Sequence, residues 1–170
     1  IHAGHNFRNN LKDKVIHSEY ERWYEEDPHT DTFISSMPLT IVGLDSRFEY
    51  DLNRSPEKCV YKDAWGKPVW KKPLSKSLEK ESLKKHENFY KVVDALIQSI
   101  EKKFGGCLVF DMHSYNFVRH QKEVPVFNIG TANVDESRYE RAIDYWYKKL
   151  KSITIRTVSY THLRAHETSK

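Results

Sequence analysis

Apolar residues in the middle of the chain recur at spacings of three and four, which predicts one long helix over residues 75–104. The apolar face of this helix comprises Phe89, Val93, Leu96, Ile97, Ile100 and Phe104. This spacing places them on one side of a helix, where we expect them to pack on the sheet. Gly105 and Gly106 follow at once, and glycine is common where helices end. A second amphipathic helix is predicted to begin at Asp135 or Ser137.

Directly after the long helix, a short apolar run predicts a buried strand over residues 107–112. Four polar residues mark its carboxyl end: Asp111, His113, Ser114 and Asn116. Open α/β sheets carry their functional groups at the carboxyl ends of strands, so we expect His113 at the rim of a sheet. Two further strands are predicted over residues 40–44 and 124–129. The alternation of helices and strands predicts an α/β domain.

Two polar stretches near the amino end are candidates for the same site, although each also has a plain structural explanation. His2 and His5 flank Gly4, an arrangement that suits metal binding about as well as it suits a polar surface loop. Residues 25–27 are three acids before Pro28, which ends a helix. They fit a solvated acidic turn, and they also offer the oxygen ligand that a dication needs.

Residues 45–54 alternate apolar or aromatic side chains with polar ones, so one face of an extended segment is unusually polar. The polar positions are Arg47, Glu49, Asp51 and Asn53, and Arg54 follows. An edge strand that faces water has the same pattern. Two arginines beside an asparagine also suit a clamp for a carboxylate, because guanidinium binds a carboxylate with two parallel hydrogen bonds.

Composition narrows the class of protein. The net charge is +4 and the charges are interspersed, without an arginine-rich arm, so nucleic acid is not an expected partner. No apolar run approaches the ~20 residues that a bilayer span needs. Cys59 and Cys107 lie far apart and form neither a disulfide framework nor a zinc knuckle, so a cytoplasmic setting is expected. Nine histidines make metal chemistry worth considering.

The two ends of the chain have unusual sequences. The first residues lie inside a motif and lack a methionine or a signal peptide. Residues 158–170 show no apolar period and resemble read-through of a non-coding segment. We therefore expect a domain fragment over residues 1–157, truncated at both ends, and a non-native tail over residues 158–170.

The order of these motifs resembles the N-formylglutamate amidohydrolase family, a branch of the zinc-carboxypeptidase-like hydrolases. The resemblance covers about residues 1 to 155. The matching motifs are residues 1–5 (Ile-His-Ala-Gly-His), 25–28 (Glu-Glu-Asp-Pro), 46–54 (Ser-Arg-Phe-Glu-Tyr-Asp-Leu-Asn-Arg), 111–116 (Asp-Met-His-Ser-Tyr-Asn) and 127–131 (Phe-Asn-Ile-Gly-Thr). The resemblance implies a mixed sheet flanked by helices.

The resemblance also implies one zinc ion held by two histidines and one carboxylate. His2 matches the first histidine and His113 the second. The carboxypeptidase pattern has an acid three residues after the first histidine, where this chain has His5. Either His5 has taken that role, or Glu26 or Asp27 supplies the carboxylate, and Glu26 is the first expectation. Asp111 is expected to orient the zinc shell from behind.

The implied reaction is hydrolysis of an N-formyl or other N-acyl group on an acidic amino acid, such as N-formylglutamate. Asn53 and Arg54 match the pair that contacts the substrate in the carboxypeptidases, and Arg47 is a second candidate for a substrate carboxylate. The glutamate base of such enzymes comes from a late strand. We find no convincing counterpart before Thr157, so this fragment is expected to lack its base and to be inactive.

Three other functions are compatible with the same residues. A related zinc peptidase or amidase would use the aromatic residues of 61–70 as the wall of a larger pocket. A non-catalytic binding domain would keep the shape of the site without turnover. A generic α/β domain would carry its histidines by chance.

Overall fold

A computed structural model describes residues 4–116, 124–132, 134–153 and 164–165 of the chain. The chain divides into two units, Ile1–Tyr115 and Asn116–Lys170. The first unit contains helices α1 (Asn9–Lys12), α2 (Glu19–Glu25), α3 (Thr30–Ile34) and α4 (Lys76–Phe104), with the strands β1 (Asp63–Ala64) and β2 (Lys67–Pro68). The second unit contains β3 (Asn128–Ile129), α5 (Glu136–Lys151) and β4 (Arg164–Ala165).

The core of the first unit forms where the amino-terminal segment meets the segment of strands β1 and β2 and helix α4. One buried cluster comprises Phe7, Leu11, Val15, Phe48, Ala64, Val69 and Trp70. A second joins Tyr50, Leu52 and Cys59 to Leu83 and Phe89 of α4. Removal of this apolar surface from water stabilises the unit, and it fixes the segment of residues 45–54 between the amino-terminal segment and α4.

Helix α4 confirms the predicted helix but not the predicted packing of its apolar face, because its buried residues are Ser82 and His86 and Phe104 is 70% exposed. Ser75 is its N-cap, and its hydroxyl accepts a hydrogen bond from the Leu78 N–H, which satisfies one free donor of the first turn. Gly105 ends the helix with φ of 79°, a left-handed conformation that glycine adopts without strain. Helix α5 likewise begins after Asp135, as predicted, because the Asp135 carboxylate accepts from the Arg138 N–H at 3.1 Å.

The prediction of a buried strand over residues 107–112 is wrong, because these residues form no regular element. Leu108 is 65% exposed and Val109 is 62% exposed. A strand requires a neighbouring strand from elsewhere in the chain, and no strand of the described residues includes or neighbours this segment. Its hydrophobicity alone could not supply that partner.

The two other predicted strands are much reduced. Residues 40–44 form no strand, and only an isolated parallel bridge joins Asn6 to Asp45. The prediction over residues 124–129 is right only for β3, which pairs in parallel with β4 in the second unit. The strands β1 and β2 form an antiparallel hairpin in the first unit.

The described residues therefore form a mixture of helices with two small two-stranded sheets, an α/β-like architecture. This agrees with the predicted class in its coarse form. Among the described residues, no helix is long and apolar enough to cross a membrane.

Candidate active site

The loop after α2 brings an acid next to His113. The Asp27 Oδ2 atom lies 3.2 Å from the His113 Nδ1 atom. The other oxygen of Asp27 accepts two hydrogen bonds from Ser114, one from its N–H at 3.1 Å and one from its hydroxyl at 2.9 Å. One buried carboxylate therefore holds both the imidazole and the residue that follows it.

Asp27 stands in a strained stretch of backbone. Its φ is 45° and that of His29 is 66°, a region that non-glycine residues rarely adopt. The Thr30 hydroxyl donates to the Asp27 carbonyl at 2.7 Å and fixes the turn. Strained backbone of this kind is often found at functional sites, where neighbouring contacts hold it in place.

His113 has a carboxylate at each end of its ring. The Asp111 Oδ2 atom lies 2.9 Å from Nε2, opposite the contact between Nδ1 and Asp27. These two hydrogen bonds raise the pKa of His113 to about 9, despite partial burial, which by itself lowers it. The Asn53 side-chain nitrogen also lies 3.4 Å from Nδ1. The ring thus occupies a position that favours positive charge.

Arg47 lies behind Asp27 and links it to the segment of residues 45–54. Its guanidinium contacts Asp51 Oδ2 at 3.1 Å and Asp27 Oδ2 at 3.7 Å, and it donates to the Glu25 carbonyl at 2.9 Å. Burial raises the pKa of Asp27, but the hydrogen bond with His113 and the charge of Arg47 outweigh that effect. The net result is a pKa below the usual value, so Asp27 is a carboxylate at neutral pH.

Glu26 forms a separate pair with His5. Its Oε2 atom lies 2.7 Å from the His5 Nδ1 atom, and its Oε1 atom accepts a hydrogen bond from the Ser46 hydroxyl. The Glu26 side chain is only 2% exposed, whereas that of His5 is 41% exposed. The two acids of the loop therefore have different imidazole neighbours, which their adjacency in sequence does not reveal.

The predicted substrate-binding residues lie on a turn after Asp51. The Asp51 carboxylate accepts the Asn53 N–H at 2.8 Å, and its carbonyl accepts the Arg54 N–H at 3.1 Å. Asn53 and Arg54 are exposed, whereas Arg47 is largely buried by its ion pairs. The structure thus brings Asn53 to His113 and gives Arg47 a contact with carboxylates of the protein itself.

The types of two donors fit a zinc ion. Zinc binds imidazole nitrogen and carboxylate oxygen. His113 Nδ1 and Asp27 Oδ2 lie 3.2 Å apart, at hydrogen-bond distance from each other. Within the described residues no three His, Cys, Asp or Glu side chains form a group suited to a metal. His2, the third predicted ligand, lies outside the described residues.

Sequence reasoning missed several groups that support the site. Ser46 holds Glu26, and Asp51 serves as the cap of the turn that carries Asn53. The alternation of residues 45–54 marked Asp51 as polar, but not as a buried partner of Arg47. His86 is a further group of this kind, because its ring hydrogen-bonds to the backbone of Arg54.

Comparison with protein families defines the class of the protein as an amidohydrolase-type hydrolase. The model of the family described as N-formylglutamate amidohydrolase matches residues 1–160, which is most of the chain. The chain belongs to the N-formylglutamate amidohydrolase family, as its motifs indicated. No curated protein and no solved structure matches it.

Proposed function

We propose that this protein is a zinc-dependent amidohydrolase that cleaves the formyl group from N-formylglutamate and gives formate and glutamate. The observation that carries the proposal is the contact between Asp27 and His113, with Arg47 and Asn53 beside it. Family membership supports the reaction class, and it implies a small-molecule substrate. The proposal includes a zinc-carboxypeptidase-like fold and a cytoplasmic location.

His113 and Asp27 are the proposed zinc ligands, together with His2. This choice replaces Glu26 by Asp27, because Asp27 contacts His113 while Glu26 contacts His5. When bound, zinc polarises the carbonyl of the amide and lowers the pKa of a coordinated water toward ~7. Asp111 lies at Nε2 of His113 and would hold the Nε2–H when zinc displaces the proton of Nδ1, as carboxylates commonly do behind zinc-bound histidines.

The substrate carries two carboxylates and a formamide, and the exposed turn offers complementary groups. The Arg54 guanidinium is proposed to bind a carboxylate, since its planar fork matches the two oxygens. The Asn53 amide, 3.4 Å from His113, is proposed to donate to the oxygen of the formamide. Arg47 is proposed to act mainly by keeping Asp27 ionised, because its guanidinium already forms ion pairs with Asp51 and Asp27.

The proposal is tested by zinc binding and ligand binding before turnover. We expect the protein to bind about one zinc per chain and the zinc-loaded protein to bind N-formylglutamate more tightly than N-formylmethionine, measured by calorimetry. Release of formate is then assayed with and without zinc. A protein that binds neither zinc nor N-formylglutamate contradicts the proposal, and it favours a generic α/β domain. Ligand binding without formate release is the result expected for residues 1–157, where no general base was found, so it does not by itself favour a non-catalytic binding domain.

A zinc peptidase or amidase with a larger substrate is the second candidate, and one observation favours it. The Trp65 ring is 45% exposed and lies 5.7 Å from the Arg47 guanidinium carbon. Trp65 also has φ of 51° at the tip of the hairpin, which presents an apolar surface at some backbone strain. A panel of N-acyl glutamates and dipeptides with carboxyl-terminal glutamate separates the two, since a preference for larger acyl groups supports this candidate.

A further inference from the structure

We propose that His86 and Tyr90 of helix α4 are positioning residues that fix the turn carrying Asn53 and Arg54. The inference rests on the proposed function of those two residues as substrate contacts. Neither His86 nor Tyr90 touches His113 through a hydrogen bond that the structure records. Their action is on the backbone of the turn.

His86 holds the carboxyl side of the turn. Its Nε2 atom lies 2.9 Å from the Arg54 carbonyl oxygen. A carbonyl only accepts hydrogen bonds, so Nε2 must carry the proton and donate it. The His86 ring is buried, with 2% exposure, and it packs 5.0 Å from the ring of Tyr90.

Tyr90 holds the amino side of the same turn. Its hydroxyl donates to the carbonyl of Leu52. Residues four apart lie on the same face of a helix, so His86 and Tyr90 form one pair of donors on α4. Their two acceptors, the carbonyls of Leu52 and Arg54, lie on either side of Asn53. The amide that reaches His113 is thus held between two anchors on a rigid helix.

The polar character of His86 argues for positioning rather than packing alone. Its Nδ1 atom is buried and has no hydrogen-bond partner among the described residues. A buried polar atom without a partner lowers stability, and an apolar side chain of similar size would avoid that loss. The contact that an apolar side chain could not make is the hydrogen bond to Arg54.

A small displacement of this turn is enough to matter. Asn53 reaches His113 at 3.4 Å, already near the limit of a hydrogen bond. The bonds of the turn to Asp51 fix its local shape, but they do not fix its position relative to α4. Misplacement of a contact by about 1 Å can lower a rate about 100-fold.

The test compares His86→Leu, Tyr90→Phe and His86→Gln with the wild type. Glutamine restores a donor near the position of Nε2, whereas leucine restores only volume. Ser82→Ala is the matched control, since Ser82 is buried on the same helix and bonds to Arg8 at 2.6 Å, away from the turn.

The first measurement needs no ligand and no metal. We expect amide hydrogen exchange at Asn53 and Arg54 to accelerate about tenfold in His86→Leu and Tyr90→Phe, the effect of one lost hydrogen bond. Exchange at these amides in His86→Gln should return most of the way to the wild-type rate. Acceleration equal to that in Ser82→Ala overturns the inference, because it reflects general destabilisation.

The second measurement is the affinity of the zinc-loaded protein for N-formylglutamate by calorimetry. We expect the Kd to be about tenfold higher in His86→Leu and in Tyr90→Phe, with zinc content unchanged. In His86→Gln the Kd should return toward the wild-type value. Unchanged affinity in these variants overturns the inference while the proposed function stands. Absence of binding in the wild type overturns the proposed function instead.

Discussion

The Nδ1 atom of His113 lies 3.2 Å from the Oδ2 atom of Asp27, although 86 positions separate the two residues in the chain. The same carboxylate also accepts both the N–H and the hydroxyl of Ser114. The loop after α2 is therefore fastened to the segment after α4 by one side chain. Glu26, the neighbour of Asp27, has no part in this contact and bonds to His5 and Ser46.

Replacement of each loop acid by its amide tests which one completes the metal site. Asp27→Asn keeps the shape of the side chain and removes the charge next to His113. Zinc affinity should fall about 100-fold or more, because loss of a residue that only supports a ligand already costs about 10- to 100-fold. Glu26→Gln should lower it less than about tenfold. Competition with a chelator of known zinc affinity measures both. A larger loss in Glu26→Gln would favour the original expectation that Glu26 is the ligand.

The role of His113 in zinc binding is tested by comparing its variant with a variant of another histidine. His113→Ala should abolish stoichiometric zinc binding, measured by elemental mass spectrometry after gel filtration. His29→Asn is the control, because it removes an exposed imidazole two residues from Asp27 and asparagine tolerates the positive φ of that position. Equal zinc content in wild type and His113→Ala would exclude His113 as a ligand.

Arg47 and Arg54 should differ in what they support. Arg47→Ala removes the guanidinium that contacts Asp51, which is fully buried, so the free energy of unfolding should fall by about 3–5 kcal/mol. Arg54→Ala removes an exposed side chain and should change stability by less than about 0.5 kcal/mol, while weakening N-formylglutamate binding. Urea denaturation and calorimetry measure the two effects. The same large loss of stability in both variants would argue against a structural role for Arg47 and a substrate-binding role for Arg54.

Helices α4 and α5 could be predicted from sequence, because their signals are local. The stripe from Phe89 to Phe104 and the glycine at 105 lie within or next to α4. The strand expected over residues 107–112 failed for the opposite reason. Strand formation depends on a partner that is distant in sequence, and a short apolar run carries no information about that partner.

The residues of the site could be predicted from the sequence, but the contacts between them could not. The sequence marked His113, the acids of residues 25–27 and the motif from Arg47 to Arg54 as candidates. It did not reveal that Asp27, at positive φ, contacts His113 while Glu26 contacts His5. Nor did it distinguish the buried Arg47 from the exposed Arg54, because burial depends on packing against the rest of the unit.

The two cysteines should differ in reactivity and in its dependence on pH. Burial raises the pKa of the Cys59 thiol to about 11, whereas Cys107 is exposed. The thiolate is the reactive form, so only about one Cys59 in a thousand is reactive at pH 8. Iodoacetamide should label Cys107 first, and the rate at Cys59 should rise about tenfold per pH unit below its pKa. Peptide mass spectrometry checks this, and equal rates at pH 8 would contradict the burial of Cys59.

The end of α4 offers a matched pair of glycines. Gly105 has φ of 79°, and a Cβ atom at either Gly105 or Gly106 would meet no neighbouring atom within 4 Å. Gly105→Ala should therefore lower the free energy of unfolding by about 1 kcal/mol through backbone strain alone. Gly106→Ala should be neutral or slightly stabilising, by up to about 1 kcal/mol, because alanine restricts the unfolded chain. Equal effects in urea denaturation would show that α4 does not end in this conformation.

Gly4 is required for close contact between two segments of the first unit. A Cβ atom there would lie 1.9 Å from the carbonyl carbon of Leu44, which is backbone and cannot rotate away. The Asn6 N–H donates to the Leu44 carbonyl at 3.0 Å, so displacement would also break this link. Gly4→Ala should therefore lower the free energy of unfolding by about 1–3 kcal/mol, the usual effect of overpacking. Thermal unfolding measures the loss, with Gly106→Ala as the control, and wild-type stability in Gly4→Ala would contradict the contact.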